Sequence, residues 1–223
     1  GETVEEYQTQ NINNKGIANN SVITGALVKQ NINSGRMAND AIIKSGGNQY
    51  IYAGGVANNS LIIGGGIQTI NVGGGANNTI ANNSFIFIDG GVGNHLTISN
   101  YSKINVGNYG IINNSNANSS ATISVNPSGK AFDSIIDGGY LYIDSNAAAY
   151  NTTINSGRLQ LYVGTAYDSI LNGDSVLELS YSGDQATDIS GRTVINDEVT
   201  IIFDYWSQNA KRIAINNDGE LVF

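Results

Sequence analysis

The chain has 223 residues, 40% of them apolar and 13% charged, with a formal net charge of −8, one proline and no cysteine. This balance excludes a disordered Pro/Glu/Lys-rich chain, disulfides and thiolate metal sites, and a nucleic-acid partner, because no basic run exists to displace counterions from a phosphate backbone. No stretch of about 18 apolar residues offers a membrane-spanning helix, and the acidic balance disfavours an anionic bilayer, so direct membrane insertion is not expected.

Polarity is carried by 28 glycines and 33 asparagines, a turn-rich composition. In chain order, an anchor residue, usually alanine, stands one or two residues before Asn or Asp at Ala18, Ala38, Ala57, Ala76, Gly93, Ile112, Ala131, Ala149, Ala166 and Ala186. The spacings are 20, 19, 19, 17, 19, 19, 18, 17 and 20 residues. The stretch GGVANNSLIIGGGIQTINVGGGANNTI, residues 54–80, states the unit almost twice. Regular repetition at this period is the mark of a stacked architecture.

Two apolar columns run in step with the anchor and are expected to point inward. Five residues after it stand Ile23, Ile43, Ile62, Ala81, Ile98, Ala117, Ile136, Ile154 and Leu171. Six residues before it stand Ile12, Ile32, Ile51, Ile70, Phe87, Val106, Val125 and Ile143. Eight before it, Gln10, Gln30, Gln49 and Gln68 give way to Phe85, Ile104, Ile123 and Leu141. A unit this short cannot hold two helices and a turn, and its β-branched and polar residues suit short strands. The expected fold is all-β: a single-stranded parallel β-solenoid, a right-handed β-helix of about ten coils, with residues stacked about 4.8 Å apart. Residues 1–189 form the repeat domain in this reading. Residues 190–223, which lose the period, form a C-terminal β cap of hairpin strands over the open end.

One residue after the anchor, Asn19, Asn39, Asn58, Asn77, Asn94 and Asn113 are followed by Phe132, Tyr150 and Tyr167. An amide ladder thus gives way to an aromatic stack at one corner, and the cross-section is expected to change near residues 82–93. Two residues after the anchor, the column ends in Asp133, Asn151, Asp168 and Asp188. Aromatic rings beside carboxylates suit a sugar ring, so Phe132, Tyr150, Tyr167, Asp133, Asp168 and Asp188 are the candidates for binding carbohydrate or another partner. Asp168 and Asp188 one rung apart would also permit acid–base work on a polysaccharide, as a lyase or glycosidase. The plainer reading is a solvated turn in which Asp replaces Asn, so no enzyme, cofactor or metal site is expected. His95, the sole histidine, occupies the same turn column without neighbouring ligands.

The recurring Ala-x-Asn/Asp-Ser/Thr-x-Ile, glycine pair, Gln-x-Ile and second glycine pair resembles the repeat of the AIDA/TibA-type autotransporter adhesin passengers over roughly residues 10–180. It is clearest in residues 54–80 and in AYNTTINSGRLQLYVG, residues 149–164. The resemblance implies a β-helical passenger secreted to the Gram-negative cell surface and acting in adhesion, autoaggregation, biofilm formation and virulence. Its partners would be surface glycans or proteins of host or bacterial cells, or other copies of itself. In parts of that family, repeat Ser and Thr carry O-linked heptose added by a heptosyltransferase before export. The matching positions, three after the anchor, are Ser21, Ser60, Thr79, Ser115, Ser134, Thr152 and Ser169, and the turn before them is expected to leave the hydroxyls exposed. Ala41, Leu96 and Ile189 depart from the pattern and cannot be modified.

Overall fold

The computed structural model describes residues 2–5, 7–13, 16–180, 187–196, 198–203 and 214–215. One coil shows how the repeat folds. Val56–Asn58 is a three-residue strand, and Asn59 then takes a left-handed conformation at φ 55°. The chain turns there into Leu61–Ile63, bends again through Gly64 and Gly65 at φ 54° and 81°, and runs along Ile67–Asn71. A last corner at Gly73, φ 73°, returns it to Gly75–Asn77, directly above the starting strand. Asn and Gly are the residues that enter left-handed geometry at little cost, which is why they mark the corners.

Each coil therefore has three strands on three faces: an alanine face, an isoleucine face and a long face. Every pairing between described strands is parallel, so the coils wind in one direction and form a right-handed β-helix. The alanine face stacks ten rungs, from Ile17–Asn19 up to Asp188–Ser190. Its nine steps span about 43 Å at the usual strand separation.

The core fills the triangle between the faces. The alanine face contributes small side chains: Ala38, Ala57, Ala76, Ala131, Ala149 and Ala166 are all buried. Across from them stands the isoleucine-face column from Ile23 to Leu171, in register as expected and closed to solvent throughout. Fully burying one aliphatic side chain contributes about 1.5–3 kcal/mol relative to leaving it exposed. On the long face the inward residues are Gln30, Gln49 and Gln68 with Ile32, Ile51 and Ile70, followed upward by Ile86, Ile104 and Ile123 with Ile88, Val106 and Val125.

Three expectations are corrected here. Phe85 and Phe87 are not inward: Gln68 pairs with Ile86 and Ile70 with Ile88, while the two rings are 39% and 38% exposed. The 17-residue coil omits one residue at each of two corners. Ala81 to Ile86 spans five positions where Ile62 to Gln68 spans six, and Ile88 to Gly93 five where Ile70 to Ala76 spans six. Counting back from Gly93 therefore lands one residue early. Secondly, the tenth anchor is not Ala186, which lies outside the described residues. Ile189 pairs with Ala166.

The third concerns the expected cap. Val194–Ile195 pairs in parallel with Ile170–Leu171, and Thr200–Phe203 with Val176–Leu179. Ala214–Ile215 stacks in parallel on Val194–Ile195. The described strands beyond residue 190 are thus further rungs of the solenoid rather than hairpins laid across it. Residues 204–213 and 216–223 of the expected cap lie outside the described residues.

Candidate functional site

The corner that follows the alanine face is built by one backbone device repeated nine times. Asn20, Asp40, Asn59, Asn78, His95, Asn114, Asp133, Asn151 and Asp168 all adopt φ between 50° and 55°. The residue before each of these points outward and stacks on its counterpart. Asn39, Asn58, Asn77, Asn94 and Asn113 each donate Nδ2 to Oδ1 of the asparagine below at 2.8–2.9 Å. Above Asn113 the column becomes aromatic. Phe132 and Tyr150 lie 4.7 Å apart with an interplanar angle of 9°, and Tyr150 and Tyr167 4.8 Å apart at 4°.

That stack changes what the rings present. A sugar packs on a ring face, and here the rung spacing turns the faces of Tyr150 toward its two neighbours. Outward, the corner shows ring edges, the two tyrosine hydroxyls and the adjoining carboxylates. Asp133 Oδ1 accepts from Asn151 Nδ2 at 3.2 Å, and Asp168 Oδ1 accepts from the backbone N–H of Arg192 at 2.7 Å. Asp188 is not in this column. Its backbone pairs with Thr165, three residues before Asp168 in the lower coil, so the two acids do not stand one rung apart. Asp188 falls out of the column because the coil from Ala166 to Ile189 carries more residues than the average spacing supplies.

The hydroxyl column reverses the expectation of exposure. Ser21, Ser60, Thr79, Ser115, Ser134, Thr152 and Ser169 are all buried, at 2% exposure or less. The cause is the left-handed residue just before: it turns the chain through the corner, so the next side chain starts the new strand on its inner side. Inside, five of these hydroxyls have structural partners, while Thr152 Oγ1 is buried without one among the described residues. Ser60 Oγ donates to Gln49 Oε1 at 3.2 Å and Thr79 Oγ1 to Gln68 Oε1 at 3.3 Å. Ser115, Ser134 and Ser169 donate to the carbonyls of Asn113, Phe132 and Tyr167, two residues earlier. Such local hydroxyl-to-backbone bonds are the usual device of Ser and Thr at turns. Ala41 and Leu96 fill the same inner position with apolar groups.

The long face is the larger aromatic surface, and sequence reasoning missed it. Tyr50, Phe85, Phe87, Tyr140 and Tyr142 project outward from it, with Tyr50 and Tyr52 at 6.4 Å and Phe85 and Phe87 at 6.5 Å, each pair near parallel. Lys29 Nζ stands 6.0 Å from the centre of the Tyr50 ring. Partial burial, then the nearby Asp144 and Tyr162, raise the Tyr142 phenol above its ordinary value. Near the C-terminal end, Glu178 accepts from Arg158 at 2.6 Å and from Gln160 at 3.1 Å. The available signal was strict alternation about the inward Gln-x-Ile pair. In Phe85-Ile86-Phe87-Ile88 all four residues are apolar, and that signal vanishes.

No family model and no curated protein matches the chain. Among solved structures it is similar to the crystal structure of a TibC-catalysed, hyper-glycosylated TibA fragment. The identity is 22%, the TM-score 0.53, and the match covers 89% of this chain and 86% of that one. At this identity the likeness establishes a common architecture: this chain and the TibA fragment share the β-solenoid fold.

Proposed function

We propose that the chain is the surface-exposed passenger of a bacterial autotransporter, mediating adhesion or self-association without catalysis. The observation that carries this reading is the rigid stack itself. Nine of the ten rungs carry a stacked outward side chain at one corner, six amides below and three aromatic rings above. A face of that kind binds by many weak, equivalent contacts whose avidity exceeds any one of them. The adhesin-like repeat in the sequence and the fold shared with the TibA fragment support it. The partners in this reading are a glycan or protein on a host or bacterial surface, or another copy of the chain.

Cells displaying the full chain are expected to settle and clump faster than cells displaying an unrelated solenoid, with no shortening of soluble polysaccharides. Dispersed cells, or release of oligosaccharides from a polysaccharide panel, would overturn the adhesive reading. The modification expected by analogy with glycosylated passengers is constrained by burial. Coexpression with an autotransporter heptosyltransferase is expected to leave Ser60 and Thr79 unmodified in the folded protein, any added mass falling on outward hydroxyls such as Ser45 and Ser119. Peptide mass mapping checks this; heptose on Ser60 in a chain that still melts cooperatively would show that the coil opens to admit it.

A further inference from the structure

A cleft of about 280 Å³ opens on the long face where the aromatic and amide columns meet. Its side is one outward column, Thr69, Phe87 and Asn105, in successive rungs. Its opposite side is the next column, Asp89 below and Asn126 above, with Gly107 between them. The missing side chain of Gly107 makes the hollow. A Cβ placed there would meet only the Asn126 side chain, at 3.8 Å, an ordinary contact.

The polar groups around the hollow are set apart from their equivalents lower on the face. There, Asn31 bonds to Asn11 and Asn33 to Asn13, amide on amide. At the cleft the rung below Asn105 is Phe87 and the rung below Asn126 is Gly107, so neither amide has a ladder partner beneath it. Among the described residues no side-chain hydrogen bond engages either amide. Asp89 accepts from Asn108 through Oδ1, and its carboxylate has a second oxygen to offer.

We infer that this cleft binds one pyranose ring of a neutral glycan, which rests on the adhesive reading above and assigns it a site. Two amides and a carboxylate beside an exposed aromatic side chain match the two sides of a sugar: hydroxyls that both donate and accept, and an apolar C–H face. The volume, just under the range of drug-sized pockets, fits one ring rather than an extended chain. A peptide strand added by backbone pairing is ruled out here, because Phe85–Asp89 is already paired on both edges. The Asp89 carboxylate and the chain's net charge of −8 select against acidic sugars.

The test uses the full chain on an array of neutral oligosaccharides ending in galactose, glucose, mannose or N-acetylglucosamine. Each is paired with an anionic counterpart ending in sialic or uronic acid. Wild type is expected to bind at least one neutral member and its anionic counterpart at least fivefold more weakly. Gly107→Val, which fills the hollow, is expected to lose at least tenfold in binding with an unchanged melting temperature. Asn105→Ala serves as the second variant and is expected to lose at least threefold. Binding that survives both substitutions, preference for the anionic members, or wild type that binds no neutral member each overturns the assignment. Cells displaying Gly107→Val that clump like wild type would remove the cleft from adhesion while leaving the adhesive reading in place. Wild-type cells that stay dispersed would remove that reading, and the array would still decide the cleft.

Discussion

Ile62→Asp is expected to abolish cooperative melting of the central coils, whereas Asn58→Ala, four residues away, lowers the melting temperature by a few degrees. Ile62 is fully buried between Ile43 below and Ala81 above. Its Cγ2 methyl fills the space a Cβ on Gly66 would need, 2.9 Å away. Aspartate at that point forfeits about 1.5–3 kcal/mol of burial and places a carboxylate among buried apolar side chains, a further cost of several kcal/mol. The sum rivals the whole stability of an ordinary domain, about 5–15 kcal/mol. Asn58 makes two exposed-side amide bonds, to Asn39 and from Asn77, each 2.9 Å long. Their net loss is about 0.5–1.5 kcal/mol apiece. Circular dichroism melts of the two variants check the contrast, and equal midpoints would show that Ile62 does not face the core.

The second large effect is expected at Gln49. This side chain is fully buried, donates to Gln30 at 2.7 Å, and accepts from Gln68 at 2.6 Å and from Ser60 at 3.2 Å. Gln49→Ala leaves Gln30 Oε1, Gln68 Nε2 and the Ser60 hydroxyl unpaired in the interior. At about 1–3 kcal/mol for each of the three orphaned groups, the loss is on the order of 3–9 kcal/mol, before the cavity is counted. The opposite outcome is expected when the column is replaced as a whole. With Gln30, Gln49 and Gln68 all changed to Leu, the lower coils acquire the kind of interior that Ile86, Ile104 and Ile123 already give the upper ones. Urea titration should then place the triple variant above the single one in stability, since the Gln30–Gln49 and Gln49–Gln68 bonds lose both partners, which costs less than losing one. The Ser60 and Thr79 hydroxyls can turn to the carbonyl two residues earlier, as Ser115 does. A single variant as stable as wild type would show the ladder to be dispensable.

The stacking period, the parallel fold and the inward isoleucine column were legible because each rung repeats the same three physical demands: a small residue, a left-handed turn residue and a β-branched core residue. What was not legible has equally local causes. The pattern of Gln68-Thr69-Ile70 states which residues face inward, but Phe85-Ile86-Phe87-Ile88 does not, and two single-residue deletions then shift the count. Ser60 and Thr79 are polar, and polarity alone argues for the outside. Only the positive φ of the residue before them turns them inward. Asp188 was misaligned for another reason: the last full coil is longer than its predecessors, and Ala186 and Ile189 are both acceptable anchors by residue type. The cleft at Gly107 is invisible to any column-by-column reading, because it depends on a side chain that is missing beside two rungs whose amides do not match.

The changeover inside the long face, from glutamines below to aliphatic residues above, also divides the rod mechanically. Below Gln68 neighbouring coils are tied internally by amide bonds of 2.6–2.7 Å, which weaken steeply once their geometry is disturbed. Above Ile86 the interior holds by dispersion and water exclusion, which are non-directional and let side chains slide without an abrupt loss. Under load along the axis the backbone ladders tie both halves alike, so the two differ only in the directional side-chain bonds that the lower half adds.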